Sequence, residues 1–264
     1  MSDKTEGQKL EEKIIMDKKI MWNEVDQSYR ERAITFCEGY KSFLDKGKTE
    51  REFVNQSIDI LEKSGFKNIK KLDDNSNLNT GDRIYQVIRN KALIATVIGS
   101  KSSKDGMNLI GAHIDAPRID IKQNPLYEQE SLALMKTHYY GGIKKYQWVT
   151  IPLAIHGVVI LQDGSSINVV IGESENDPVF TITDLLPHLA KKQMQKKMGE
   201  GITGEGLNLL FGSIPYDDDK VKNKVKLNIM NLLNQKYGIV EEDFASAELE
   251  LLPSFKSSDV GLDR

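Results

Sequence analysis

Four histidines and a scatter of carboxylates carry most of the acid–base and metal-binding chemistry available to this 264-residue chain. His113 and Asp115 form an H-x-D pair in MNLIGAHID. Imidazole binds a divalent cation through one ring nitrogen. A carboxylate beside it can hold the other N–H, which fixes the tautomer and raises the basicity of the ligating nitrogen. The bare pattern arises about 0.3 times by chance in a chain of this composition. On spacing alone, a strand-end histidine satisfied by a local hydrogen bond is the commoner outcome, so the pair needs its context.

The remaining candidates have simpler readings. His156 falls in the apolar run IPLAIHGVV, where a buried neutral histidine with a backbone partner is expected. His188 lies in the first turns of an expected helix, a surface or capping place. Cys37 sits in an apolar helical stripe and reads as core packing. Asp217-Asp218-Asp219 lacks the alternation of a calcium loop and reads as a helix N-cap. Glu241-Glu242 reads as an acidic first helical turn, where carboxylates meet the positive dipole end. GITGEGLNL has glycines but no phosphate-loop lysine.

Several elements must position these residues. Apolar residues from Leu10 to Leu44 recur at three- and four-residue steps, which predicts helix with a break near Asn23. Thr49 and Glu52 form a T-x-x-E capping box, opening a helix with Phe53, Ile58 and Leu61 inward that stops at Gly65. The turn-forming run DDNSNLNTGD precedes RIYQVIR and ALIATVIG, a hairpin around Asn90-Lys91. MNLIGAHID then reads as a buried central strand with His113 near its carboxyl end, where open α/β sheets place their sites. Helices followed by strands predict an α/β class.

Past Pro117 the texture becomes β-rich. SLALMKTHYYGG, WVTIPLAIHGVVIL and SSINVVIG read as strands, the last two joined at Asp163-Gly164. Helices are expected from Thr183-Asp184 through TDLLPHLAKKQMQKK, with Pro187 in the first turn, and over Lys220 to Tyr237. AELELLP reads as a last strand.

Composition narrows the class. A net charge of −3 from 36 basic and 39 acidic residues gives no basic stripe for nucleic acid. An apolar fraction of 39% suffices for a core. No stretch reaches the roughly 20 apolar residues of a membrane span, and no secretory signal heads the chain. Cys37 is the single cysteine, which fits a reducing, cytoplasmic setting.

The blocks NLIGAHIDAPRIDIK, KTHYYGGIKKYQW, PLAIHGVVI, DLLPHLA and AELELLP…DVGLDR, in this order from about Arg83 to the end, resemble the aspartyl-aminopeptidase-like family of zinc metallo-aminopeptidases. The resemblance implies part of an αβα-sandwich catalytic domain interrupted by a β-rich dimerisation domain. Residues 1–120 and 247–264 would belong to the former and 121–246 to the latter. It implies an aminopeptidase that releases N-terminal, in particular acidic, residues from peptides, with two divalent metals, usually zinc, activating a water. His113 matches a metal ligand and Asp115 its orienting catalytic partner. Tyr139, Tyr140, Tyr146 and Trp148 would be an interface patch or the insertion's own small core. Homodimers building to a homododecamer are implied as well.

The family pattern continues with a bridging Asp, a Glu-Glu pair, a further acidic ligand and a late His. No histidine follows His188, so the expectation is an N-terminal portion, inactive alone, with Leu109-Ile110 left partly uncovered. The alternatives are a non-catalytic remnant that serves as an oligomerisation partner, or an unrelated α/β binding module.

Overall fold

The computed structural model describes residues 4–73 and 77–264; part of the DDNSNLNTGD run, at 74–76, lies outside the described residues. The chain divides into two compact units, residues 1–45 with 257–264, and residues 46–256.

In the first unit, α1 (Glu6–Ile14) is capped by a Thr5–Gln8 capping box, followed by α2 (Met21–Glu24) and α3 (Gln27–Lys46). The break at Val25-Asp26 falls close to the expected one. The apolar stripe, however, is uncovered: Met21, Trp22, Phe36 and Tyr40 are exposed, and so is Cys37, which corrects its placement in a core. Helical spacing fixes which residues share a face but not whether anything covers that face. Charge holds the tail to α3, with Lys41 Nζ 3.0 Å from Asp259 and Arg264 contacting both Asp259 and Glu38.

The second unit opens with α4 (Glu50–Lys63), whose capping box is the expected one: Thr49 Oγ1 accepts from Glu52 N–H and Glu52 accepts from Thr49 N–H. The helix ends before Gly65, whose φ of +83° suits a residue without Cβ. β1 (Lys67–Asn68), β2 (Arg83–Ile88) and β3 (Ala92–Val97) form one small sheet, β2 and β3 pairing antiparallel around the positive-φ residues Arg89 and Asn90.

The expected strand MNLIGAHID is not formed. Residues 106–117 have no regular structure, and Leu109 and Ile110 are 85% and 96% exposed. A buried strand exists only where neighbours take up its backbone groups and cover its faces. Among the described residues none pairs with this segment, so the apolar pair stays in solvent.

From Arg118 onward one seven-stranded sheet dominates. Its strands are β4 (Arg118–Gln129), β5 (Leu132–Tyr140), β6 (Leu153–Ile160), β7 (Ser166–Ile171), β8 (Thr181–Ile182), β9 (Leu209–Gly212) and β10 (Glu248–Pro253). The order is β7-β6-β10-β4-β5-β9-β8. The last strand in sequence thus sits centrally, hydrogen-bonded to β6 and β4.

The expected helix from Thr183 is reduced to α5 (Lys191–Met194) and α6 (Met198–Gly201). Residues 183–190 are turn and coil, with Leu185, Leu186 and Leu189 exposed. An amphipathic pattern with nothing beneath its apolar face, and a proline near its start, does not sustain a helix. The second expected helix is present as α7 (Lys224–Tyr237). Its N-cap is Asn223 rather than the aspartate triplet; Asp219 instead pairs with Lys224 at 2.5 Å. Glu241-Glu242 open a short 3-10 turn, near the expected helical start.

Alternation along the strands sends Ile119, Ile155, Val159, Leu249 and Leu251 into one apolar core, shared with Ile229, Leu233 and Phe244. The opposite residues, Arg118, Asp120, His156, Glu248 and Glu250, line the other face of the sheet.

Candidate metal centre

His113 and Asp115 lie on the irregular loop that leads into β4. The structure brings them together as the H-x-D spacing suggests. His113 Nδ1 is 2.8 Å from the Asp115 backbone oxygen and 3.3 Å from Asp115 Oδ1. A carbonyl oxygen only accepts, so Nδ1 is the donor, and Nε2 is the ring nitrogen left to a ligand. The ring is 83% exposed. Asp115 accepts in turn from the Tyr140 hydroxyl, with Oδ2 at 3.1 Å. This hydrogen bond holds the Asp115 carboxyl below the ordinary range and raises the Tyr140 hydroxyl. The donor chemistry suits zinc: an exposed imidazole whose inner N–H is anchored and whose outer nitrogen faces away.

One imidazole does not make a catalytic zinc site, which wants three protein ligands. Among the described residues, the carboxylates that gather closely enough to hold an ion are Glu50 of α4 with Glu248 and Glu250 of β10, a group that does not include His113. Cations already occupy that cluster. Arg118 donates from Nη1 to Glu50 at 2.8 Å and from Nε to Asp120 at 2.8 Å, and lies 3.3 Å from Glu250 Oε2. Arg51 donates to Glu248 at 2.7 Å, and Lys91 also contacts Glu248. Burial raises the Glu248 carboxyl, but Lys91 and Arg51 outweigh it and leave it lowered. Glu250 is 3% exposed. Burial, reinforced by Glu50, Asp120 and Glu248 against the pull of Arg118, pushes its carboxyl up to about 7.

His156 departs from its expected state. It is buried, but its partners are carboxylates rather than backbone: Nδ1 is 2.6 Å from Glu52 Oε1 and Nε2 is 3.0 Å from Glu173 Oε1. Both ring nitrogens must donate, so the ring is an imidazolium. Burial works against that charge, yet the two carboxylates prevail and raise its pKa, while His156 and the capping amides lower that of Glu52 despite burial. Lys48 completes the group, 2.6 Å from Glu173. The sequence signal was the capping box itself: Glu52 serves both the helix cap and the histidine. His188 is exposed, and His138 stacks on Tyr139 with ring centroids 5.6 Å apart.

Comparison with known proteins decides the family. The model of the aminopeptidase I zinc metalloprotease family (M18) matches residues 43–264. The chain belongs to the M18 family. It is 50% identical over 252 residues, 95% of its length, to a Clostridium acetobutylicum protein named "Probable M18 family aminopeptidase 1". The M18 aminopeptidase structure from Thermotoga maritima superposes with a TM-score of 0.87 at 44% identity, over 94% of this chain and 53% of that one. The aminopeptidase I structure from Clostridium acetobutylicum gives 0.85 at 46% identity, over 95% and 55%. The chain spans about half the length of the curated M18 relatives it matches. The α/β class and the zinc metalloprotease family are thereby established. Among the described residues no helix is long and apolar enough to cross a membrane.

Proposed function

We propose that this chain contributes one half of the metal centre of a zinc-dependent aminopeptidase acting on peptide N-termini. His113 supplies one ligand through Nε2, and Asp115 orients it from the other side of the ring. The observation that supports this reading is the anchored Nδ1 and open Nε2 of an exposed imidazole, in a family of zinc metalloproteases. When bound, zinc lowers the pKa of a coordinated water and polarises the scissile carbonyl. This chain's part is to hold one imidazole in a single tautomer and aim it.

The finer features of the proposal follow from the family resemblance. They are two metals, a preference for acidic N-terminal residues, a cytoplasmic setting, and homodimers building to a homododecamer. Residues 121–246 would serve as the dimerisation insertion between catalytic segments 1–120 and 247–264. The exposed Leu185, Leu186, Leu189, Met194 and Met198 are apolar surface suited to such contacts.

Equilibrium dialysis against zinc tests the reading. The chain is expected to retain the metal weakly, and His113→Ala to lose that binding. Zinc-dependent release of amino acids from aminoacyl p-nitroanilides by the chain alone is expected to be nil, since among the described residues His113 belongs to no group of three ligands. That same shortage of ligands favours a second reading, a non-catalytic assembly partner. It predicts dimers in sedimentation and zinc retention indifferent to His113.

A further inference from the structure

The loop bearing His113 and Asp115 has no ladder or helix to fix it, yet one side-chain contact ties it to the rigid sheet. Antiparallel pairing of β4 with β5 places Arg118 directly opposite Tyr140. The Arg118 guanidinium lies 4.1 Å from the centre of the Tyr140 ring, well within cation–π range. Arg118 is itself immobilised, 8% exposed and gripped by Glu50 and Asp120. From that braced ring the hydroxyl reaches Asp115 Oδ2 at 3.1 Å, while Oδ1 of the same carboxylate faces His113 Nδ1 at 3.3 Å. At the end of β5, Gly141 turns at φ +73°, and a Cβ added there would lie 3.6 Å from Pro117 Cα, so the two segments also run close through backbone.

We propose that Tyr140, braced by Arg118, is the positioning residue of the H-x-D pair, anchoring Asp115 through its carboxylate so that its backbone oxygen, 2.8 Å from His113 Nδ1, holds the ring with Nε2 outward. Tyr140 touches neither metal nor substrate; it acts through Asp115. The role rests on the metal reading above, but its first signature does not require metal. Tyr140 is 41% exposed, so removing one hydroxyl leaves the fold in place.

The test is long-range nitrogen–proton NMR of His113 in the full 264-residue chain, with zinc titration alongside. In the unsubstituted chain His113 is expected in the Nδ1–H form. Tyr140→Phe should return its nitrogen shifts toward those of a free imidazole and weaken zinc binding by about 10-fold, the lower end of what second-layer partners contribute. Tyr139→Phe, one residue along the strand and stacked on His138, should change neither. Unchanged His113 nitrogen shifts in Tyr140→Phe would overturn the positioning role. If His113→Ala leaves zinc binding unaltered, the metal reading fails instead, and the metal-free tautomer response to Tyr140→Phe still decides the positioning one.

Discussion

Replacing Glu250 by Gln should stabilise the protein at alkaline pH, although Glu250 sits beside an arginine. The folded carboxyl titrates near 7 against an ordinary 4.5. The group is uncharged in both states below pH 4.5 and costs nothing there. As pH rises the unfolded chain ionises first, and folding must then hold a proton on Glu250 or bury its charge. The stability present at low pH is therefore lost progressively between 4.5 and about 7, and the deficit is constant above. At roughly 1.36 kcal/mol per pH unit, the gap amounts to about 3 kcal/mol. Urea unfolding of Glu250→Gln and the unsubstituted chain at matched pH values reads the difference directly. Glutamine's own packing offset does not vary with pH, and His156, paired with Glu250 across β6 and β10, titrates in both proteins. Relative to the parent, the variant should gain about 3 kcal/mol between pH 4 and pH 8. A flat difference, or one that moves against the variant as pH rises, would show that Arg118 holds Glu250 ionised and that the burial argument is wrong.

Three further outcomes concern β6 and the N-terminus of α4. His156→Gln should destabilise by about 1.5–3 kcal/mol near pH 6, since Glu52 loses its cation and Glu173 keeps only Lys48. Because the folded pKa of His156 is raised, this penalty is full below the unfolded value of 6.5 and fades as pH climbs through the folded one, which melts across pH 6 to 9 would show. Gly157→Ala should cost at least about 1–3 kcal/mol, because a Cβ there would lie 1.9 Å from the Glu248 carbonyl oxygen on the paired strand; denaturant midpoints report it. Thr49→Ala removes half the α4 capping box and should cost about 1 kcal/mol, with faster amide exchange in the first turn of the helix.

Local chemistry was legible where it closes on itself. The Thr49–Glu52 capping box, the hairpin turns at Asn90 and Gly164, and the alternation of AELELLP all took the form that neighbouring residues dictate. Elements that depend on distant cover were not. MNLIGAHID has the composition of an inner strand, but without neighbours its leucine and isoleucine are bare. TDLLPHLA has a helical pattern, but its leucines Leu185, Leu186 and Leu189 are exposed and the segment is turn and coil. The strand AELELLP was legible, but not that Glu250 would be buried between Arg118 of β4 and the carboxylates of Glu50, Asp120 and Glu248. At the site, the H-x-D spacing predicts a carboxylate on the ring N–H, whereas the Asp115 backbone oxygen takes it at 2.8 Å and the carboxylate lies at 3.3 Å. Tyr140 joins them through a strand register that one-dimensional spacing does not display.

A chimera tests the central claim most directly: residues 1–264 replacing the corresponding half of the Clostridium acetobutylicum aminopeptidase, to which this chain aligns over 252 residues. Zinc-dependent hydrolysis of aminoacyl p-nitroanilides should appear in the chimera. It should fall by at least about 100-fold with His113→Ala and by 10- to 100-fold with Asp115→Asn. A folded, active chimera indifferent to both substitutions would contradict the assignment of His113 to the metal.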